Sequence, residues 1–241
     1  MALIAAVSWG AQVLLASSLL AVRHIVVHGT ARLSAGEVAA SVDGIRGQNI
    51  FQIDFEHYRR QVMESPWVAN VSLWRVFPAT IEVRVTERVP MAIARLGRQL
   101  YLVDDAGVIV DEYGPQYRDI DLPIVDGLVT PADRSDSLVS ADHVQLTSSL
   151  LTAMAGRKDL VRRLSQVDVS NPRDAAVMFD GLPVWLHLGN DRFVERLTTY
   201  LELAPTLNEH FHDVDYVDLR FDARVFVHAA GRTDRMLTVN P

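Results

Sequence analysis

The sequence predicts an α+β chain in three parts. An N-terminal membrane helix leads into a small domain ordered strand, helix, helix, strand, strand. A larger β-rich domain follows, with an extended antiparallel sheet and flanking helices. Three observations predict this. Ala2 to Val22 is a 21-residue apolar run without a charged side chain. Trp67 to Met91 holds two alternating runs around Phe77-Pro78-Ala79-Thr80. From Leu164 on, short alternating runs are punctuated by the turn signals Asn171-Pro172-Arg173-Asp174 and Asp180-Gly181. The expected boundaries are 1–22 for the membrane helix, 23–92 and 93–228 for the two domains, and 229–241 for a polar, flexible tail.

Composition narrows the function classes. The chain has 241 residues, enough for an anchor and two modest domains. Its net charge of −7 gives no electrostatic reason to expect a nucleic-acid partner. It has no cysteine, which excludes disulfide scaffolds, thiol catalysis and Cys-ligated zinc.

In chain order, the apolar run at ~1.5 Å per residue spans roughly the 30 Å hydrocarbon core of a bilayer. A signal peptide would start with basic residues and carry a shorter apolar stretch, and no Lys or Arg precedes this one. Val22 to Gly29 reads as a strand with Ile25 and Val27 on the core side. His24 and His28 share the other side, but on a strand they stand roughly 13 Å apart, which suits solvated surface better than a metal. Ser34 and Glu37 form a capping box before Val38, Val42 and Ile45 at helical spacing, and Gly44 and Gly47 end that helix. Asp54 N-caps a second helix whose apolar side is Phe55, Tyr58 and Val62, and Pro66 stops it. Val71 and Leu73, then Ile81, Val83 and Val85, mark one face of two antiparallel strands. Pro78 sets the turn between them.

A second unit starts near Ala94. Leu100, Leu102, Val108 and Val110 flank the turn Asp104-Asp105-Ala106-Gly107. Leu122 to Val125 is a short strand, and Thr130 to Leu138 reads as a linker. Ser140 caps a helix carrying Val144, Leu150 and Leu151. Val167 and Val169 alternate with Asp168 and Ser170, and Ala176–Phe179 pairs through Asp180-Gly181 with Val184–Leu188. Gly189-Asn190-Asp191 opens a helix with Phe193, Leu197, Tyr200 and Leu201 on one side, running to Pro205. The last strands run from Tyr216 to His228.

Catalytic motifs are absent: there is no G-x-S-x-G, H-E-x-x-H, P-loop or G-x-G-x-x-G. Glu209-His210-Phe211-His212-Asp213 is the densest titratable cluster, and it lies where a solvated loop is expected. Asp104-Asp105 and Asp119-x-Asp121 pair carboxylates as glycosidases do, but each fits a turn equally well. No cofactor, metal or small-molecule substrate is expected.

The run V-x-x-x-x-x-F-P-x-T-I-x-V-x-V-x-E-R-x-P-x-A from Val71 to Ala92 resembles the second half of a POTRA domain, and more narrowly that of the FtsQ (DivIB) family of bacterial cell-division proteins. Y-L-V-D-D-A-G-V-I-V from Tyr101, L-H-L-G from Leu186 and Y-V-D-L-R-F-D from Tyr216 extend the resemblance in order and spacing through the second domain. It implies a non-enzymatic scaffold at the division septum, held in the inner membrane by one helix with its body in the periplasm. The positive-inside rule read from Arg23 alone puts the body in the cytoplasm. A basic N-terminal tail missing from this sequence reconciles the two readings.

The family resemblance also implies a docking surface. Its C-terminal domain receives FtsB by strand addition at the final strand, with FtsL held through FtsB, while the POTRA domain serves other divisome proteins. Carried over, the surface is Ala223, Arg224, Val225, Phe226 and Val227, with Tyr216 and Phe221 on the strand before. Phe221 occupies the place of a binding aromatic that is usually tyrosine, and Arg173 matches a partner-contacting arginine. Ala223 and Arg224 depart from the small polar residue and glycine of some members. Physically this needs an unpaired edge; the alternative is an edge solvated or covered by the tail. Two other functions compete at this stage: a membrane-anchored periplasmic enzyme, and a POTRA protein of outer-membrane assembly or secretion.

Overall fold

The structure is a computed structural model that describes residues 9, 18–129, 139–210, 214–221, 224–229 and 235–238. The chain divides between Val89 and Pro90 into two compact units. The membrane helix expected over 1–22 lies, apart from Trp9 and residues 18–22, outside the described residues, as does the linker at 130–138. Among the described residues no helix is long and apolar enough to cross a membrane.

The first unit contains β1 (His24–His28), α1 (Ala35–Ser41), α2 (Phe55–Met63), β2 (Val68–Val76) and β3 (Thr80–Glu87). The sheet order is β1-β3-β2, with β1 parallel and β2 antiparallel to β3. The two-residue period decides which face is covered. Ile81, Val83 and Val85 are buried on β3 against Val38, Val42, Ile45, Tyr58 and Val62 from the helical segments. Each such aliphatic chain contributes about 1.5–3 kcal/mol relative to an exposed one. Asp54 caps α2 by accepting from the N–H groups of Glu56 and His57 at 3.0 and 3.2 Å. Ser34 caps α1 through Gly36 at 3.2 Å. That helix ends at Ser41, before the expected glycines, and a 3-10 turn at Asp43–Ile45 still carries Ile45 into the core. Gly29 has φ +86°, and a Cβ there would sit 2.1 Å from the Val85 carbonyl oxygen, so the turn out of β1 admits only glycine.

The E-R-x-P motif has a structural task. Glu87, at the end of β3, accepts backbone hydrogen bonds from Ala31, Arg32 and Leu33 at 2.8–2.9 Å and so fixes the loop entering α1. Partial burial pushes its carboxyl up, but the N–H groups of Arg32, Leu33 and Ala31 outweigh that and hold it below the usual glutamate range.

The second unit contains β4 (Pro90–Leu96), β5 (Gln99–Asp104), β6 (Ile109–Glu112), β7 (Ile124–Asp126), α3 (Ala141–Met154), α4 (Lys158–Val161), β8 (Leu164–Asn171), β9 (Asp174–Phe179), β10 (Leu182–His187), α5 (Phe193–His210), β11 (Val214–Phe221), β12 (Arg224–Ala229) and β13 (Arg235–Thr238). Among the described residues these strands form one sheet in the order β13-β12-β11-β10-β9-β8-β7-β4-β5-β6. The sheet is mixed, which corrects the antiparallel expectation: β4/β7, β7/β8 and β10/β11 pair in parallel. The chain returns between β7 and β8 and between β10 and β11 through helices, and a crossover restores the strand direction where a hairpin reverses it. Helices α3 and α5 pack on each other and on the sheet. Their shared core holds Leu150, Met154, Leu197 and Tyr200 over Val167, Val177, Leu186 and Val217.

Four further expectations change. Helix α5 runs through Pro205 to His210, because Leu207 beyond the proline is seated in the core at 3% exposure. Leu201 is 41% exposed, not on the buried side with Phe193, Leu197 and Tyr200. Ser140 stands at the N-cap of α3 without a side-chain cap bond. Residues 235–238 of the expected flexible tail form β13, paired to β12.

Replacing Glu87 by Ala should destabilise the first unit by about 1–2 kcal/mol, a figure reduced for the solvent around the carboxylate. Hydrogen exchange of the Ile81–Val85 amides through global opening should then quicken about 5- to 30-fold. Unchanged exchange would contradict the bracing role.

Candidate functional site

The alternation of β11 and β12 sorts their side chains onto two faces. Val217, Leu219, Val225 and Val227 are buried toward the helices. Tyr216, Asp218, Phe226 and His228 share the other face, since Tyr216 pairs with His228 and Asp218 with Phe226. The parallel strand β10 sets His187 beside Asp218.

Rings and charges fill this second face. The Tyr216 ring stacks on His228, with centroids at 4.9 Å and planes 10° apart, and meets the His187 ring edge-on at 5.3 Å. Phe221, past a register shift at the end of the strand, lies against Phe226 at 5.1 Å and also lines a small cleft with Arg196, Leu219 and Val225 on the helix side, and it stays 52% exposed. Asp174, at the start of β9 and 7% exposed, meets His187 Nδ1 at 2.7 Å. It also accepts from the Gly189 amide at 2.9 Å and from Arg220 Nη1 at 3.2 Å. Arg220 forks onto Asp218 as well, donating from Nη2 at 2.6 Å and Nε at 2.9 Å. Three adjacent strands, β9, β10 and β11, are thus tied by one buried carboxylate. Burial pushes Asp174 up, but the His187 hydrogen bond, the Gly189 N–H and the charges of His187 and Arg220 hold it below the usual aspartate range. The hydrogen bonds that Arg220 donates to Asp218 hold its guanidinium more firmly protonated than usual.

The residues expected to dock a partner fall as follows. Tyr216, Phe221 and Phe226 share the ring-bearing region, while Val225 and Val227 point into the core and offer a partner only their backbone. Arg224 is exposed and pairs with Phe221 across the hairpin. Arg173 lies in the exposed turn before Asp174, with its N–H donating to Asn171 Oδ1 at 3.0 Å, so one peptide bond links it to the carboxylate that holds Arg220. Ala223 lies outside the described residues. The outer side of β12 is occupied: β13 pairs with it from Arg224↔Thr238 to Val227↔Arg235. The members that sequence reasoning missed are Asp174, His187, Asp218, Arg220 and His228. Asp-x-Arg at 218–220 carried a signal, because a spacing of two puts both side chains on one face of a strand. The tie to Asp174 needs the fold.

The enzyme-like candidates look different. Asp104 is buried in its turn, accepting from Ala106 and Val108 at 3.1 and 2.7 Å. A cleft of about 530 Å³ in the second unit is lined by Met91, Leu122, Pro123, Leu151 and Val161 with Lys158, Arg162 and Asp121, and its lining holds no pairing of nucleophile and base. Of the cluster at 209–213, residues 211–213 lie outside the described residues; among the described residues no group of three metal-binding side chains converges.

Two family models match the chain. The one described as "POTRA domain, FtsQ-type" matches residues 20–88, and "Cell division protein FtsQ/DivIB, C-terminal" matches 92–220. The second match ends one residue before Phe221. Similar proteins include the cell division protein FtsQ of Koribacter versatilis, 28% identical over 85% of this chain and 59% of that protein. FtsQ of Syntrophotalea carbinolica is 28% identical over 93% of this chain and 79% of its own length. The cell division protein DivIB of Clostridium acetobutylicum is 22% identical over 70% and 68%. The chain therefore spans under two thirds of the Koribacter protein.

Asp174→Ala should cost about 1–2 kcal/mol, because it removes the buried carboxylate shared by His187, the Gly189 amide and Arg220, a figure reduced for the solvent that reaches the two partly exposed side chains. The folded Asp174 value lies below the unfolded one. Its contribution is therefore complete above about pH 4 and falls away as pH drops through the folded value. Denaturant midpoints measured from pH 7 down to 3 should fall for the parent more steeply than for Asp174→Ala. Parallel curves would contradict the network.

Proposed function

The chain belongs to the FtsQ/DivIB family of cell-division proteins, and on that premise we propose that it is a non-enzymatic scaffold of the divisome that docks FtsB, and FtsL through FtsB, on the open end of its C-terminal sheet. Its apolar run anchors it once in the inner membrane, and its body stands in the periplasm at the septum. The POTRA unit meets other division proteins. The observation that carries this reading is the end of the sheet: β12 is held on its outer side by a strand of only four residues, next to an exposed Phe221 ring.

Docking then proceeds by strand exchange. Strand β12 offers six residues of ladder and β13 covers four of them. An incoming strand that follows all of β12 gains main-chain hydrogen bonds that β13 does not make. Phe221 and Phe226 give it an aromatic surface, and Phe221 supports ring contact without the hydroxyl hydrogen bond of the more usual tyrosine. The Asp174 network keeps the receiving strands in place, so that little order has to be created on binding.

Two measurements test this on the full-length chain in nanodiscs. Phe221→Ala should weaken FtsB binding about 10- to 30-fold, the cost of removing an interface aromatic. Ending the chain after Ala229 should preserve or tighten binding. If that truncation abolishes binding, the partner adds to β13 and does not replace it.

A further inference from the structure

The first unit carries an exposed apolar patch at the point where the chain enters it. Residues 20–24 are clasped between two loops. Ile50 donates its N–H to Leu20 at 2.9 Å and Val22 donates to Gln48 at 2.9 Å, with Ala21 bridged to Asn49. On the other side Arg23 donates to the Ala79 carbonyl at 2.8 Å. Phe51 follows Ile50 directly, and Phe77 stands two residues before Ala79. Their rings touch, with centroids at 5.2 Å, yet they are 51% and 57% exposed. Val76, next to Phe77 in sequence, is 43% exposed, and Leu19, next to the clasped Leu20, is 69% exposed. Arg75, near the end of β2, ties the first loop to that strand, donating from Nε to the Ile50 carbonyl at 2.6 Å and from Nη2 to that of Ile53 at 3.3 Å. The patch is thus preformed.

We propose that Leu19, Phe51, Val76 and Phe77 form a foot that rests in the headgroup layer of the membrane holding the apolar run. The inference rests on the anchor reading above and goes beyond it. Continuity selects the occupant. The uncharged run Ala2–Val22 ends at the residues the two loops clasp, and a step of two residues in extended chain is only ~7 Å. A helix leaving the bilayer near residue 20 delivers both rings to the interface, where aromatic side chains are favoured. Arg23 and Arg46 lie at the same level, since Arg46 Nη1 donates to the Arg23 carbonyl at 2.6 Å. Arg46 also pairs with Asp43 at 2.6 Å, so charge contributes less than the rings. The foot would fix the tilt of the POTRA unit on the membrane, where a lone helix end leaves it free to swing.

The absence of native cysteine allows a direct test. A nitroxide is placed at Gln52→Cys, next to the intact rings, or at Ala31→Cys, in the loop held by Glu87 at the far end of β3. The full-length chain is reconstituted into phosphatidylethanolamine–phosphatidylglycerol vesicles and floated. At position 52 collisions with oxygen should exceed those with a water-soluble nickel chelate, and at 31 the order should reverse. Adding Phe51→Ser and Phe77→Ser should raise nickel access at 52 several-fold, with the label at 31 reporting an intact fold. Protein that floats while 52 is as nickel-accessible as 31, or is protected equally without the two rings, would overturn the foot and leave the anchor standing. Protein that does not float would overturn the anchor and the foot with it.

Discussion

An open β-sheet satisfies backbone groups strand by strand and leaves one row of amides and carbonyls unpaired at each end. In the second unit this constraint falls on β12 and β13. The side chains of Val225 and Val227 are already spent on the core, so the outward resources of β12 are its backbone, the exposed Arg224 and the Phe226 and His228 rings. A four-residue strand satisfies part of that row. Four of the six β12 residues are paired by β13, and the proposed docking requires that this short cover be exchangeable. A fully covered edge would refuse a partner, and a bare one would invite any strand in the cell envelope.

The β11–β12 end of the sheet rests on a network that reaches back to β9 and β10. Asp174 gathers His187, the Gly189 amide and Arg220, so β9, β10 and β11 share one buried anion. Such a network adds less net stability than its hydrogen-bond count implies, because its charges are desolvated. Its value here is positional. The POTRA unit uses a milder version: one partly exposed carboxylate, Glu87, orders the loop before α1 with three backbone bonds.

Much of this was legible in the sequence. Ile81, Val83 and Val85 announced a half-buried central strand, Asp54 announced the start of α2, and Asp180-Gly181 announced a hairpin, because each signal is local and has one dominant physical cause. What was not legible depends on pairing at a distance. Hairpin signals made the second sheet look antiparallel, since a short strand such as Ile124–Asp126 does not advertise which neighbour it joins. Pro205 read as a helix end because local propensity cannot weigh the burial of Leu207 beyond it. Arg235–Thr238 read as tail because its pairing needs β12 to exist first. In the candidate site Tyr216, Phe221 and Phe226 were found from family motifs, whereas Asp174 and His187 became partners only through a 13-residue separation that the fold closes.

Under the proposed docking, the partner strand takes the place of β13 on β12. Hydrogen exchange of the full-length chain, alone and saturated with FtsB, tests it most directly. If β13 is displaced, the amides of Arg235–Thr238 exchange faster in the complex, while those of Arg224–Ala229 remain protected or become more so. Slower exchange at Arg235–Thr238, or protection gained only on strands away from β12, would contradict it.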